Sequence, residues 1–498
     1  MTESTLLAFI PGARNVLGAA PFVRHRVDAT MWESIAARLA GESVWTLTDL
    51  WSDGTEVHMA IAEPAAHTLA IVSLPCRDGR YPSVARHHAP AARLERALHD
   101  LHGFEAVATP DDRPWLDHGR WPSSRAGRAY RFLDAEGESL HQIPVGPVHA
   151  GIIEPGHFRF TASGETIVRL EARLGYVHKG IDALLRRADV DTAARIAART
   201  SGDSTVAYGF AFARAVEAAC GATVPVRATR LRAVMAELER IANHLGDFGA
   251  ICNDASFALL HAHCGILRER VLRAAGTAFG HRLMMDAIVP GGIAHDVDAA
   301  GVEAIRAAVR VVKAELPALV DLYDNTTSLQ DRTAGTGILV SALAQRFGAG
   351  GYVGRASGRG VDARTHYPYA PYDGLEVPVP VLQAGDVNAR VWIRIEEIRA
   401  SLVLVTRLLD ELPEGEWRVA VNALAMTPRE GAALVEGFRG DVFAWVRLAA
   451  DGRIECARLR DPSWFQWPLL EAVVEGNIVA DFPLCNKSFN CSYSGHDL

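Results

Sequence analysis

No run of about 18 or more apolar residues occurs in this chain, so it contains no segment able to cross a bilayer as a helix. The most apolar stretches, such as Ser401 to Leu409, are interrupted by a charge, here Arg407. CxxC pairs are absent as well. The seven cysteines, Cys76, Cys220, Cys252, Cys264, Cys456, Cys485 and Cys491, are scattered and odd in number. That usage fits reduced thiols in a cytosolic compartment, most of them small core residues. Positive charge is not in excess: 51 Lys and Arg stand against 59 Asp and Glu, for a net charge of −8. Nucleic acid is thereby disfavoured as a partner, because phosphate binding needs a basic face. No GxGxxG follows a strand-like segment, and the glycines between Arg355 and Gly360 lack that spacing, so no dinucleotide fingerprint is present. Low-complexity tracts and internal repeats are missing. The opening residues, MTESTLLAFIPGAR, carry an early acid and no basic start, which argues against a signal peptide.

What is present suits a globular protein: 49% hydrophobic and 22% charged residues. A chain of 498 residues is long for one core, which predicts two domains. The first part, residues 1–121, mixes strand-like segments (Trp45 to Leu50, Glu56 to Glu63, His67 to Leu74) with an amphipathic helix over Ala91 to Leu101. A small α/β domain is expected there. Residues 122–142 are polar and Gly/Ser-containing and read as a linker. From 143 to 498 the chain is mainly helical. A short β hairpin, Phe158 to Thr161 and Thr166 to Arg173, comes first, turned by Ser163 and Gly164. Four long amphipathic segments follow: Thr229 to Ile251, Phe257 to Phe279, Val302 to Tyr323 and Val387 to Leu412. One apolar stripe per helix predicts a packed bundle, and the fold class is α+β. His244 reads as a satisfied helix histidine, and Glu396 and Glu397 as a solvated helix face. Ile478 to Leu498 is rich in small polar residues and reads as an irregular but docked tail.

Several stretches, taken in order, resemble one family. IPVGPVHAGIIEPGHFRF, from Ile143 to Phe160, is similar to the entry loop of formate-hydrogenlyase-type large subunits. LGYVHKG, from Leu174 to Gly180, resembles their GYxHRG motif, with Lys179 where Arg is usual. Pro290-Gly291-Gly292, Arg355 to Gly358, and Tyr367 to Tyr369 with Tyr372 and Asp373 match both the membrane-bound nickel–iron hydrogenases and the large, quinone-site subunit of respiratory complex I. Glu95 to Phe104 resembles the ERxxxDxxGI motif of the complex I subunit that precedes the large one, and the two are fused in some bacteria. The resemblance implies a hydrogenase-large-subunit-like fold fused to an accessory α/β domain. It also implies docking to a small iron–sulfur subunit carrying a 4Fe–4S cluster. Through the complex, antiporter-like membrane subunits would be partners, and the chain would lie peripherally on the cytoplasmic face. The family's NADH site belongs to other subunits.

One part of the family pattern is broken. Hydrogen-converting members hold nickel and iron with thiolates from RxCGxC and DPCxxC motifs. Here the first motif reads Arg199-Thr200-Ser201-Gly202-Asp203-Ser204, and the last places Ser492 and Gly495 at the ligand positions, with Cys491 on the proline. A serine hydroxyl stays protonated near neutral pH and is a hard donor, so a nickel–iron centre is not expected. A lesser metal reading uses Cys485, Cys491 and His496.

In complex I relatives the corresponding cavity receives a quinone. By resemblance, its lining here would be His149, Glu154, His178, Ser201, Asp203, Ser204, Tyr208, Arg355 and Ser492. His149, Glu154, Tyr208 and Arg355 would be the reacting or proton-handling groups. His178, Ser201, Asp203, Ser204 and Ser492 would be the former cofactor positions, with His178 able to tune the partner's cluster. His149 matches the first histidine of the quinone loop, and His157 lies near the second. The family tyrosine falls on Phe212, and Tyr208 lies one helical turn earlier. Glu154 reads either as a proton or conformational relay into membrane partners or as a structural carboxylate paired with an arginine such as Arg199 or Arg355. The expected function is electron transfer from a partner iron–sulfur cluster to a quinone-like acceptor, coupled to ion movement. The rival readings are a hydrogenase with an altered metal site and a non-catalytic coupling or scaffold subunit.

Overall fold

In a computed structural model of the chain, the described residues are 4–10, 14–41, 44–121, 130–424, 426–427 and 429–498. Residues 122–129 of the expected linker lie outside them.

The N-terminal sheet has five strands in the order Arg14–Asn15, Arg24–Arg26, Thr68–Pro75, Glu56–Glu63, Thr46–Ser52. Its core strands follow from β-branched and aromatic residues with turn signals between them, such as Asp53-Gly54. Asp53 closes that turn by accepting the backbone N–H groups of Thr55 and Glu56, both at 2.8 Å. Helix Ala92–His102 packs beside the sheet and ends at Gly103, whose φ of 73° few other residues adopt. The ERxxxD residues of this helix are architectural. Glu95 accepts from Ser83 Oγ and the Val84 N–H. Arg96 donates to the carbonyls of Arg113 and Pro114, and Asp100 accepts from the N–H groups of Trp115 and Leu116. The motif thereby folds 111–117 back onto the helix.

The expected hairpin forms two strands of a three-stranded antiparallel sheet, with His157–Ser163 in the centre between Thr166–Arg173 and Leu140–Val145. The bundle helices are Thr205–Cys220, Val226–Asp254, Ala258–Phe279, Ala299–Asp324 and Val387–Asp410. Val226–Asp254 is the hub and packs on both Ala258–Phe279 and Val387–Asp410. Among the described residues, no helix is long and apolar enough to cross a membrane.

A third sheet is not apparent in the sequence. Strands Arg429–Gly437, Gly440–Leu448 and Ile454–Arg460 form an antiparallel meander, and Ala19–Ala20 joins its edge in parallel. One face meets helix Thr205–Cys220 so closely that a Cβ at Gly431 would lie 1.8 Å from the Ala215 carbonyl oxygen. The other face packs on the N-terminal sheet through Trp51, Leu69, Ile71, Leu434, Phe443 and Trp445. Ion pairs rim this contact: Arg24 with Glu430 and Arg458 with Asp49 are buried, and Arg447 with Asp53 is half-buried.

Two helix-face expectations change. Glu397 is buried, not solvated, and it bonds His244 Nε2 at 2.8 Å and Arg355 at 2.7 Å; Glu396 stays near the surface with Arg399. Position 397 lies on the inward face of its helix, where only a paired carboxylate can be accommodated. The tail is docked as expected, but it is not irregular: Phe482–Phe489 and Tyr493–Asp497 are helices.

Candidate active site at the former metal position

Two segments far apart in sequence build the site. The first is a single 3-10 turn, Gly202–Ser204, that opens helix Thr205–Cys220. The long hub helix holds it there. Asn243 Nδ2 donates to the Asp203 carbonyl at 2.7 Å, and the Glu239 carboxylate accepts the Val206 and Ala207 N–H groups at 2.7 and 3.2 Å. Glu239 therefore caps the helix from outside it. Burial dominates its ionisation and, with nearby Asp203, pushes its carboxyl up to about 8 despite the two N–H donors.

The second segment is the tail. Helix Phe482–Phe489 ends at Asn490 in the left-handed conformation, which turns the chain inward. Ser492 then caps the last helix, its Oγ accepting the Gly495 N–H at 2.9 Å.

The two segments meet through hydroxyls. Ser201 Oγ lies 3.2 Å from Ser492 Oγ and donates to Asp203 Oδ1 at 2.8 Å. Because the Ser201 proton points at a carboxylate, Ser492 must supply the proton between the two oxygens. The run is thus directional, from the Gly495 N–H through Ser492 and Ser201 to Asp203. Arg439 closes it, donating to Asp203 Oδ1 at 2.9 Å and Oδ2 at 2.6 Å, to Ser204 Oγ at 3.1 Å, and to the Asn490 carbonyl. Burial works against the Asp203 charge, but the Arg439 guanidinium and the serine hydroxyls outweigh it and bring the carboxyl down to about 2.

The fourth ligand position is filled as well. Tyr208 donates to Asp461 Oδ2 at 2.8 Å. A Cβ at Gly495 would stand 2.5 Å from that Asp461 oxygen and 2.8 Å from the Tyr208 oxygen. Burial, with Asp461 beside it, raises the Tyr208 hydroxyl well above the usual phenol range, so it stays a donor. The donor set is therefore hydroxyls, a committed carboxylate and a guanidinium. It does not fit a nickel–iron centre, which needs soft, ionised sulfur.

The other expected residues surround the same tail. The Glu154 carboxylate accepts the Ser494 N–H at 3.1 Å. His149 packs 6.2 Å from the Tyr493 ring; its Nδ1 is 3.1 Å from the Pro147 carbonyl, while its buried Nε2 has no partner among the described residues. His178 Nδ1 meets the Asp497 carbonyl at 2.7 Å, and its ring packs on Trp121. Gly175 and Val177 donate their N–H groups to Asp497 Oδ2, and Lys179 and Gly180 to the Leu498 carbonyl. The GYVHKG stretch is thus a receptor for the tail. Its Lys179 donates to the Thr200 carbonyl at 2.6 Å and so also braces the serine turn.

Three expectations are corrected. Arg355 does not line this site: it is fully buried and paired with Glu397, Glu436 and Asp362. The RASG stretch carries no local sign that four ionic groups meet there. Glu154 is paired with neither Arg199 nor Arg355, since Arg199 is held at the surface by Asp286. Cys485, Cys491 and His496 do not converge: the Cys485 sulfur lies against Gly337, and His496 sits between Trp115, Trp464 and Asp497. Among the described residues, the one group with metal-holding spacing is Asp53, Glu56 and His58, whose carboxylates Arg447 and Arg24 already hold. Sequence reasoning missed Arg439, Asp461 and Glu239. Only Arg439 left a trace there, as a charge between two apolar runs.

Three comparisons bear on this geometry. The sequence model of the family described as respiratory-chain NADH dehydrogenase, 49 Kd subunit, matches residues 260–434. Formate hydrogenlyase subunit 5 of Escherichia coli is 29% identical over 447 residues, covering 86% of this chain and 78% of that protein. An NADH-quinone oxidoreductase subunit of Dehalococcoides mccartyi is 32% identical over 348 residues, covering 68% of this chain and 93% of that protein. Among solved structures, a chain of the membrane-bound sulfane sulfur reductase, an archaeal respiratory membrane complex, superposes with a TM-score of 0.68 at 24% identity, covering 72% of this chain and 99% of that one; it shares the fold.

Proposed function

Because this chain belongs to the family of the 49 kDa subunit of respiratory-chain NADH dehydrogenase, we propose that it is the acceptor-site subunit of a membrane-associated oxidoreductase complex that works without a nickel–iron centre. Electrons arrive from a 4Fe–4S cluster on a small partner subunit. They pass to a quinone-like acceptor beside the docked tail. The complex carries antiporter-like membrane subunits and couples the transfer to ion movement, with this chain peripheral on the cytoplasmic face.

The observation that carries the reading is the filled metal position: Ser201, Ser492, Asp203 and Arg439 satisfy one another on a retained family scaffold. Quinone reduction needs hydrogen-bond donors at the carbonyl oxygens and a proton source. His149 Nε2, buried and unpartnered, is the group free to serve. Glu154, exposed at the rim and bonded to the tail, is placed to exchange protons with solvent. Tyr208 is committed to Asp461 and acts on the tail, not on the acceptor.

One observation favours a scaffold role instead: Tyr208, the tyrosine expected to react with an acceptor, is committed to Asp461. Electron transfer by the purified complex from reduced donor to a short-chain quinone, with its inhibition by a quinone analogue, separates the two. The acceptor reading expects turnover, with analogue binding weakened about tenfold in His149→Ala. A complex that binds no analogue and reduces no quinone is a scaffold.

A further inference from the structure

We propose that the Asp203–Arg439 pair is a built-in staple that positions the tail in place of a metal bridge. Three segments meet at this one guanidinium: the serine turn 201–204, the hairpin turn at Phe438 and Arg439, and the tail at Asn490. They are otherwise remote in the chain, Asp203 and Arg439 standing 236 positions apart and Arg439 and Asn490 standing 51 apart. In the hydrogenase pattern, thiolates from the first and last motifs would share one metal and so tie these same two ends. Here a planar fork ties them. It engages both Asp203 oxygens, Ser204 Oγ and a tail carbonyl at once, a geometry a guanidinium offers and an ammonium does not. Arg439 is itself fixed from the far side, because Gln466 Nε2 donates to its carbonyl at 2.8 Å and the Phe438 ring packs 4.4 Å from its guanidinium carbon. Once Asn490 is held, Ser492 reaches Ser201, and Gly495 is set against the Tyr208–Asp461 pair. Arg439 and Asp203 are thus positioning residues whose role holds whichever acceptor the site takes.

The test is hydrogen exchange of the tail, 488–498, in the assembled complex. The tail is expected to be protected in the natural protein and unchanged by a strong nickel and zinc chelator. Asp203→Asn removes the charge without changing shape and is expected to speed tail exchange about tenfold, while helix Val226–Asp254 keeps its protection. Arg439→Lys keeps the charge but cannot span the three partners, and it gives the same tail-only loosening. Asp203→Glu, which retains the carboxylate, restores most of the protection. Natural tail protection in Asp203→Asn or in Arg439→Lys overturns the proposal, as does a tail that the chelator loosens in the natural protein.

Discussion

Ser201 and Ser492 stand 3.2 Å apart, oxygen to oxygen, across 291 positions of sequence. The contact joins the turn before one helix to the cap of another. It places hydrogen-bonded oxygen where the hydrogenase pattern has sulfur.

Ser492→Ala removes both this contact and the cap on the last helix. Loss of an N-cap and a buried hydrogen bond costs about 1–2 kcal/mol. The expected outcome is local: faster exchange over 492–498 with an unchanged melting temperature for the bundle. Natural exchange rates in that segment would contradict the linkage.

Rebuilding the thiolates is expected to fail. In the quadruple variant Ser201→Cys, Ser204→Cys, Ser492→Cys, Gly495→Cys, the new side chain at 495 collides with Asp461 and Tyr208, and Arg439 still occupies Asp203. Co-expressed with hydrogenase maturation factors, the variant should acquire no stoichiometric nickel, as read by elemental analysis.

Much of this architecture is legible in the sequence, and the remainder escapes it for identifiable reasons. The strand Glu56–Glu63 and the long helices are readable because their patterns are local. The meander from Arg429 to Arg460 is not, since its strands are covered on both faces and so lack the alternation that marks a half-exposed strand. Serine at the ligand positions can be read directly. What fills the space cannot, because Asp461 and Arg439 reach the site by pairings 253 and 236 positions long. The burial of Glu397 escapes the sequence for the same reason: its partners Arg355 and His244 come from two other helices.

Arg355 is a stability residue in this account. Arg355→Met leaves Glu397, Glu436 and Asp362 short of a counter-charge in a buried cluster, a loss of about 3–5 kcal/mol. The variant is expected to express poorly or melt early. A stable Arg355→Met complex with impaired quinone turnover would return Arg355 to the acceptor site.

His149→Ala should behave oppositely. Nε2 has no hydrogen-bond partner among the described residues, so the melting temperature should hold. The quinone-analogue concentration needed for half-inhibition should rise about tenfold, the equivalent of one good hydrogen bond to a charged or polar ligand.

Glu239 gives a pH signature. Its carboxyl is raised to about 8 in the folded chain, above its ordinary value of 4.5, so the folded state binds the extra proton between those limits. Its contribution is complete below the unfolded value and is lost as pH rises through about 8, with a slope of up to about 1.4 kcal/mol per pH unit. The melting temperature should therefore fall more steeply from pH 5 to pH 8 in the natural protein than in Glu239→Gln. Parallel curves would remove Glu239 as the source.

The most direct measurement is nickel per chain in the purified, active complex, taken alongside its quinone reductase rate. Turnover with nickel far below one atom per chain is the expected result. One nickel per chain, lost together with activity on chelation, would contradict it.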